Sequence, residues 1–203
     1  MAMYNANLVG GGSSVKIDGV EYEGDLELTG KVYDMEISTL PYDFQNSWAV
    51  VFNGEIHILG GQYDNSYYNY HYKYNGTTWE SVSTLPFDFY NGSAIVYNNE
   101  IHIFKSKNHY KFNGSSWESV STLPYSFAYG SAVVLNGEIH ILDGLNHYKF
   151  NGSSWESVST LPYSFAYGSA VVLNGEIHIL GGLSSRTKHY TIAIKIYKIS
   201  NVS

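Results

Sequence analysis

A tandem repeat occupies most of this 203-residue chain. Residues 108–142 and 146–180 are identical at an offset of 38 positions, and diverged copies precede them. The dipeptide Leu-Pro begins at positions 40, 85, 123 and 161, and the tetrapeptide Glu-Ile-His-Ile begins at positions 55, 100, 138 and 176. The first period is longer because it carries an insertion at residues 62–70. Periods of this length indicate units that bury their apolar faces against one another.

Each repeat is predicted to hold four short strands. In the third repeat these strands are residues 131–135, 138–142, 147–150 and 154–159. The first two are joined by Asn136-Gly137, a hairpin turn in which both positions need positive φ. Leu161-Pro162 is expected to end the last strand, since proline cannot donate to a sheet. No long amphipathic helix pattern occurs in the sequence, so we predict an all-β fold.

These repeats resemble those of the kelch family. The resemblance rests on a glycine pair after an apolar strand, at Gly60-Gly61 and Gly181-Gly182, and on a Tyr and a Trp separated by six residues. The Tyr and Trp pairs are Tyr72/Trp79, Tyr110/Trp117 and Tyr148/Trp155. The glycine pair is reduced to Gly144 in the third repeat and is missing from the second. The resemblance covers about residues 32–200 and implies a β-propeller, a fold that hosts many functions.

The ends of the repeat region bear on how the propeller closes. Residues 32–38 precede the first Leu-Pro as a fourth strand would, whereas a single long strand pattern, residues 188–200, follows Gly182. We therefore predict four blades of four antiparallel strands, the last of which takes its outer strand from the N-terminal region and leaves no open sheet edge. An open array that closes only in a homo-oligomer is the alternative.

Residues 1–31 lie outside the repeat and are interpreted as a short N-terminal β-arm, with the propeller spanning residues 32–203. Residues 15–28 alternate in polarity as a β-arm or hairpin does, and a poorly ordered tail is the alternative. An arm in front of a compact propeller suits attachment to a larger assembly or oligomerisation.

Composition argues against several classes of function. A net charge of −7 does not suit a nucleic-acid groove. The absence of Cys removes disulfides, thiolate metal sites and Cys nucleophiles. No run approaches the roughly 18 apolar residues of a membrane span, so no membrane insertion is expected. Residues 1–12 lack the basic start and the apolar stretch of a signal peptide.

Histidines and glutamates recur in register with the repeat. A ring of histidines could bind a metal, but a polar residue repeated inside a propeller more often makes a repeated hydrogen bond, so no metal is predicted. The glutamates follow hairpin turns and are interpreted as solvated blade edges rather than as a paired-carboxylate site. The eight histidines are His57, His102, His140 and His178 in the tetrapeptide and His71, His109, His147 and His189 in the third strand.

No catalytic residue and no cofactor are predicted. The sequence has no Gly-x-Ser-x-Gly elbow and no Gly-rich phosphate loop that leads into a helix. Galactose-oxidase-like enzymes share the kelch propeller, but that resemblance implies a Cys-modified Tyr at copper, and this chain has no Cys. Sialidase-type propellers need an Arg cluster, whereas Arg186 is the only Arg here. A binding protein is therefore expected rather than an enzyme.

The insertion in the first repeat is the main candidate for a ligand- or partner-binding surface. Its Tyr, Asn, Ser and Asp residues match the composition of antibody paratope loops, and tyrosine faces also suit sugar stacking. The predicted contact residues are Tyr63, Asp64, Asn65, Tyr67, Tyr68, Asn69 and Tyr70. The alternative is an elongated hairpin whose tyrosines only pack. A second candidate is the connector after each Leu-Pro, where Tyr90, Tyr129 and Tyr167 could crown one end while the Phe residues pack between blades.

The repeat also resembles kelch-like proteins of tailed phages and of prophages of Gram-positive gut bacteria, through the strings Leu-Pro-Tyr, Gly-Ser-Ala-Val-Val and Glu-Ile-His-Ile. This resemblance implies a non-catalytic structural protein on the virion surface or outside the cell, such as a fibre, decoration or host-adhesion component. Its expected partners are other virion proteins, through the N-terminal arm, and a host surface glycan or protein. The alternatives are an intracellular kelch-type adaptor and a hydrolase with a site on one propeller face.

Overall fold

A computed structural model describes residues 15–17, 20–22, 38–184 and 186–193 of the chain. Within these residues the regular structure consists of 17 β-strands and no helix, as the sequence predicts. No helix able to span a membrane therefore occurs in the described part of the chain. In chain order the strands are β1 (Val15–Ile17), β2 (Val20–Tyr22), β3 (Trp48–Phe52), β4 (Glu55–Leu59), β5 (Gln62–Tyr63), β6 (Ser66–Tyr67), β7 (His71–Tyr74), β8 (Trp79–Ser81), β9 (Ser93–Tyr97), β10 (Glu100–Phe112), β11 (Trp117–Phe127), β12 (Ser131–Leu135), β13 (Glu138–Phe150), β14 (Trp155–Phe165), β15 (Ser169–Leu173), β16 (Glu176–Leu180) and β17 (His189–Ile192).

Most strands form four small antiparallel sheets that follow one another along the chain. Sheet 1 has the order β3-β4-β7-β8, sheet 2 β9-β10-β11, sheet 3 β12-β13-β14 and sheet 4 β15-β16-β17. Two hairpins, β1-β2 and β5-β6, stand outside these sheets. A series of small antiparallel sheets, one for each sequence repeat, is consistent with a propeller-like fold.

Two-residue turns set the register of the first hairpin in each sheet. In sheet 3, Asn136 and Gly137 have φ angles of 52° and 76° and pair Leu135 with Glu138. Both turn positions need positive φ because the turn must match the right-handed twist of the strands that it joins. The predicted turn chemistry is therefore confirmed. Sheet 2 uses Asn98-Asn99 at the same place, with φ angles of 49° and 60°.

The long strands β10 and β13 each contain a reversal of direction. In sheet 2, Nδ1 of His102 lies 2.9 Å from Nε2 of His109, although a straight strand would place residues seven apart at roughly 23 Å. The chain folds back near Ser106, which has a φ of 53°. Each long strand thus supplies two strand segments, so that sheets 2 and 3 contain four segments, as sheet 1 does.

The prediction that Leu-Pro ends a strand is wrong at Pro124 and Pro162. Strands β11 and β14 continue through these prolines to Phe127 and Phe165. The cause is a register shift, because Thr122 and Phe127, five residues apart, pair with Asn108 and Ser106, which are only two residues apart. The proline lies in this irregular stretch of an edge strand, where its missing N–H leaves no ladder bond unmade.

Neighbouring sheets pack face to face through apolar clusters. Between sheets 1 and 2, Phe52 and Leu59 pack against Ala94, Ile101 and Ile103. The same repeat positions form the clusters between sheets 2 and 3 and between sheets 3 and 4. The connector residues Phe89, Phe127 and Phe165 are fully buried in these clusters, which confirms that they pack between sheets.

The outward faces of sheets 1 and 4 are not packed in this way by another described sheet. The first strand of each sheet contacts the first strand of the next, in the order β3, β9, β12 and β15. No comparable contact joins β15 to β3. Sheet 4 has three strands among the described residues. Its predicted outer strand, residues 32–38, lies outside the described residues except for Ser38, so closure into a four-bladed ring stays a prediction.

The hairpin β1-β2 belongs to the N-terminal part of the chain. Val15 pairs with Tyr22 and Ile17 with Val20. These strands fall within residues 15–28, where the sequence predicts a β-arm or hairpin, and residues 23–28 lie outside the described residues. The predicted domain boundary after residue 31 is not tested by these strands.

Candidate functional site

The insertion in the first repeat forms the hairpin β5-β6. Asp64 and Asn65 make its turn, with φ angles of 45° and 62°, which is the pattern of a type I′ turn. Tyr63 and Tyr67 are about half exposed on its two strands. These four residues were all predicted to contact a ligand, and the hairpin leaves them at the surface.

Tyr67 connects the insertion to the second repeat. Its ring stacks on the ring of Tyr90, with centroids 4.2 Å apart. Nζ of Lys105 lies 3.3 Å from the centroid of the Tyr90 ring and donates a 2.6 Å hydrogen bond to the carbonyl of Asp88. Burial lowers the pKa of Lys105 to about 8, although the charge of Asp88 opposes this effect. Tyr67, Tyr90 and Lys105 together are called the aromatic ridge below.

The rest of the predicted contact set is tied into the scaffold. The backbone carbonyls of Tyr68 and Asn69 accept hydrogen bonds of 2.9 and 2.8 Å from the connector that leads to sheet 2. The rings of Tyr68 and Tyr70 stack with centroids 4.9 Å apart, and Tyr42 packs edge-on against both. Contacts within the protein therefore cover most of the surface of Tyr68, Asn69 and Tyr70, although Tyr70 stays partly exposed.

An open depression of about 330 Å³ lies where the four sheets meet. Each repeat contributes the residues that lead into its first strand. The lining residues are Asn46, Ser47, Trp48, Asn91, Gly92, Tyr129, Gly130, Tyr167, Gly168 and Ser169. Tyr129 and Tyr167 are among the residues that the sequence predicts at one end of the propeller, whereas Asn46 and Asn91 are not predicted from the sequence. The sequence signal for all four residues is their shared repeat position, which holds Asn in the first two repeats and Tyr in the last two.

The four residues at this repeat position share a left-handed backbone. Asn46, Asn91, Tyr129 and Tyr167 have φ angles of 54°, 53°, 61° and 60°. This conformation is common for Asn but is uncommon for a bulky residue such as Tyr. The N–H of Tyr129 donates to the carbonyl of Asn91 at 2.9 Å, and the N–H of Tyr167 donates to the carbonyl of Tyr129 at 2.8 Å. Strained residues that their surroundings hold in place often mark a functional site.

The side chains at this position form a stack. The rings of Tyr129 and Tyr167 are 4.2 Å apart between centroids and 25° from parallel. Nδ2 of Asn91 donates a 3.1 Å hydrogen bond to the hydroxyl of Tyr129. Asn91 follows Tyr90 directly in the sequence, so the second repeat contributes neighbouring residues to the depression and to the aromatic ridge.

The histidines form one pair in each sheet. The joined atoms are Nδ1 of the inner histidine and Nε2 of the outer one, at 2.8 to 2.9 Å, in the pairs His57/His71, His102/His109, His140/His147 and His178/His189. This confirms the interpretation of the histidines as a repeated hydrogen bond. Burial lowers the pKa of His71 to about 3 and that of His102 to about 4. No group of three or more His, Asp or Glu suited to a metal occurs within the described residues.

Three of the four glutamates of the tetrapeptide, Glu55, Glu100 and Glu138, form ion pairs with lysines of the third strand. Lys149 donates to Oε1 of Glu138 at 2.9 Å, and Lys111 lies 2.9 Å from Oε1 of Glu100. These glutamates are partly exposed, and they stand apart from one another, one in each sheet. They form ion pairs across strands within their own sheets.

Comparisons with known proteins show the fold alone. No family model and no curated protein match the sequence. Among solved structures, the chain is similar to the structure of YjhT, a kelch-type protein, with a TM-score of 0.65 and 15% sequence identity. The match covers 72% of this chain and 61% of that chain, so the chain spans about three fifths of the length of the protein that it matches.

Proposed function

We propose that this protein is a non-catalytic binding module, a kelch-type propeller with four blades per chain, which uses one end to bind a carbohydrate on a host surface. The observation that carries the proposal is the stack of Tyr129 on Tyr167 beside the Asn91 amide. The depression is open, and residues from all four repeats line it.

The chemistry of this surface suits a sugar. Tyr rings offer flat apolar faces with a polar edge, and such faces complement the C–H faces of a pyranose ring. The side-chain amides of Asn46 and Asn91 can both donate to and accept from hydroxyl groups. Tyr67 and Tyr90 extend the aromatic area beyond the depression, which gives room for more than one sugar unit.

Glycan-array screening followed by calorimetric titration tests this proposal. The informative variants are Tyr129→Asn and Tyr167→Asn, because the chain itself uses Asn at this position in the first two repeats and Asn tolerates positive φ. Each variant is expected to lose at least about tenfold in affinity, or about 1.4 kcal/mol. Tyr190→Ala is the matched control, since Tyr190 is partly exposed on β17 and does not line the depression.

Retained glycan affinity in both Asn variants, with an unchanged circular dichroism spectrum, would show that the ligand binds elsewhere. The absence of any glycan ligand, together with hydrolysis of a sugar or peptide, would replace the proposal with an enzymatic one.

The proposed setting is the virion surface, with the N-terminal residues 1–31 as attachment to other virion proteins. The support is the resemblance of the repeats to phage kelch-like proteins and the near identity of two tandem copies. Many copies on one particle would add avidity to weak single-site binding. Mass spectrometry of purified particles tests this setting. Recovery in the host lysate and not in particles would favour the intracellular adaptor instead.

A further inference from the structure

The internal interfaces of the molecule all use the same two faces of a sheet. One face, here called the donor face, contributes Val133, Leu135 and Leu142 of sheet 3 to the cluster with sheet 4. The opposite face, here called the acceptor face, contributes Ala170 and Ile177 of sheet 4 to that cluster. Because the repeat is regular, every sheet has both faces.

The two terminal sheets each leave one of these faces exposed. On the donor face of sheet 4, Val171 is 47% and Leu173 55% exposed, although their equivalents Val133 and Leu135 are 8% and 3% exposed in an identical sequence. Leu180 is likewise exposed where Leu142 is fully buried. Sheet 3 has a neighbouring sheet on this face, whereas no described sheet packs on the same face of sheet 4.

The acceptor face of sheet 1 shows the same contrast. Ile56 is 43% exposed, whereas its equivalents Ile101, Ile139 and Ile177 are fully buried. Sheet 4 thus exposes a donor face and sheet 1 an acceptor face. These two faces pack against each other at each of the three internal interfaces between sheets.

We infer that the donor face of sheet 4 binds the acceptor face of sheet 1 on a second copy of this chain, so that the propeller is completed between copies. The contact continues an interface already present in the molecule, and Val171, Leu173 and Leu180 repeat the residue types of Val133, Leu135 and Leu142. It is head-to-tail, and such contacts form rings when the rotation closes. The depression would then be lined by residues of more than one copy.

Light scattering with size-exclusion chromatography across a wide range of protein concentration tests this inference. The full chain is expected to have a multiple of the monomer mass at high concentration. Leu173→Asp, which places a charge on the donor face, and Ile56→Asp, which places one on the acceptor face, are each expected to be monomeric. Leu145→Asp is the matched control, because Leu145 is half exposed but belongs to neither face, and it should keep the wild-type mass.

A mixture of the two variants distinguishes head-to-tail contact from other modes. One variant keeps an intact donor face and the other an intact acceptor face, so the mixture is expected to form a one-to-one heterodimer. A wild-type chain that stays monomeric at every concentration would overturn the inference and favour closure within one chain. An oligomer that survives either single substitution, or folded variants that do not combine, would also overturn it.

Discussion

The indole of Trp155 donates a 2.9 Å hydrogen bond from Nε1 to Oγ of Ser121, and so joins sheet 3 to the outer strand of sheet 2. The same hydroxyl lies 3.1 Å from Nδ1 of His109. A consistent assignment has Ser121 donating to this nitrogen, His109 donating from Nε2 to Nδ1 of His102, and Nε2 of His102 carrying the remaining hydrogen. One serine therefore links the tryptophan of one sheet to the histidine pair of another.

Replacing Ser121 with Ala is expected to lower the free energy of unfolding by about 1–3 kcal/mol, because it leaves buried groups of Trp155 and His109 without a partner. Ser83 is the equivalent residue one repeat earlier, and neither it nor Trp117 Nε1 has a hydrogen-bond partner among the described residues. Ser83→Ala is therefore the matched control and should cost less. Urea unfolding of both variants measures the difference. Equal losses would mean that the Ser121 bonds contribute no net stability.

Stability is expected to fall as the pH drops from about 6.5 to about 4. Burial lowers the pKa of His102 to about 4 and that of His109 to about 3, from an ordinary value of 6.5. The unfolded chain therefore takes up protons first, and stability that is complete above pH 6.5 is lost progressively towards the folded-state pKa. A single group shifted in this way accounts for a loss on the order of 3 kcal/mol.

Urea unfolding at a series of pH values measures this slope. Replacing His102 and His109 together with Gln is expected to make the slope shallower. Replacing His178, which lies in the exposed pair of sheet 4, with Gln is the matched control. A slope that is the same in the double variant and in the wild type would assign the acid sensitivity to other groups.

The turn of sheet 2 offers a stabilising substitution. Asn99 has a φ of 60°, and the other three sheets have Gly at this position. Asn99→Gly is expected to raise the free energy of unfolding by about 0.5–1 kcal/mol, since Gly adopts this conformation without strain. The reverse change, Gly137→Asn, should destabilise by a similar amount. A thermal melt of both variants checks the signs, and a lower melting temperature for Asn99→Gly would contradict the strain argument.

Gly130 lets the connector approach the inner strand of sheet 3. A Cβ at this position would lie 2.3 Å from the carbonyl oxygen of Leu142, which is far inside contact distance. Gly130→Ala is therefore expected to cost more than about 2 kcal/mol, through a forced backbone shift. Gly114→Ala is the comparison, because no atom lies within 4 Å of its Cβ and the strain there comes only from a φ of 99°. Chemical denaturation separates the two, and the prediction fails if Gly114→Ala is the more costly change.

The sequence was sufficient to predict the sheets because each one repeats the same local signals. The hairpin at Asn136-Gly137 and the paired histidines follow from turn chemistry and from the need of buried polar groups for partners. The path of the chain through Pro124 was not predictable, because it depends on a register shift in the neighbouring strand. The role of Asn91 in the depression was not predictable, because an Asn followed by a Gly is typical of a turn. Only the packing of sheet 2 beside sheet 3 brings its side chain against Tyr129.

The left-handed position that leads into each first strand varies in side chain while its backbone conformation stays the same. The residues on either side of it are fixed by burial, as at Phe127 and Gly130, whereas the side chain itself is Asn in two repeats and Tyr in two. Under the proposed function, duplication of one repeat adds a structural layer and a ligand-contacting side chain in the same event. A single codon change at that position would then alter the proposed ligand specificity without altering the buried residues, so ligands could diversify faster than architecture.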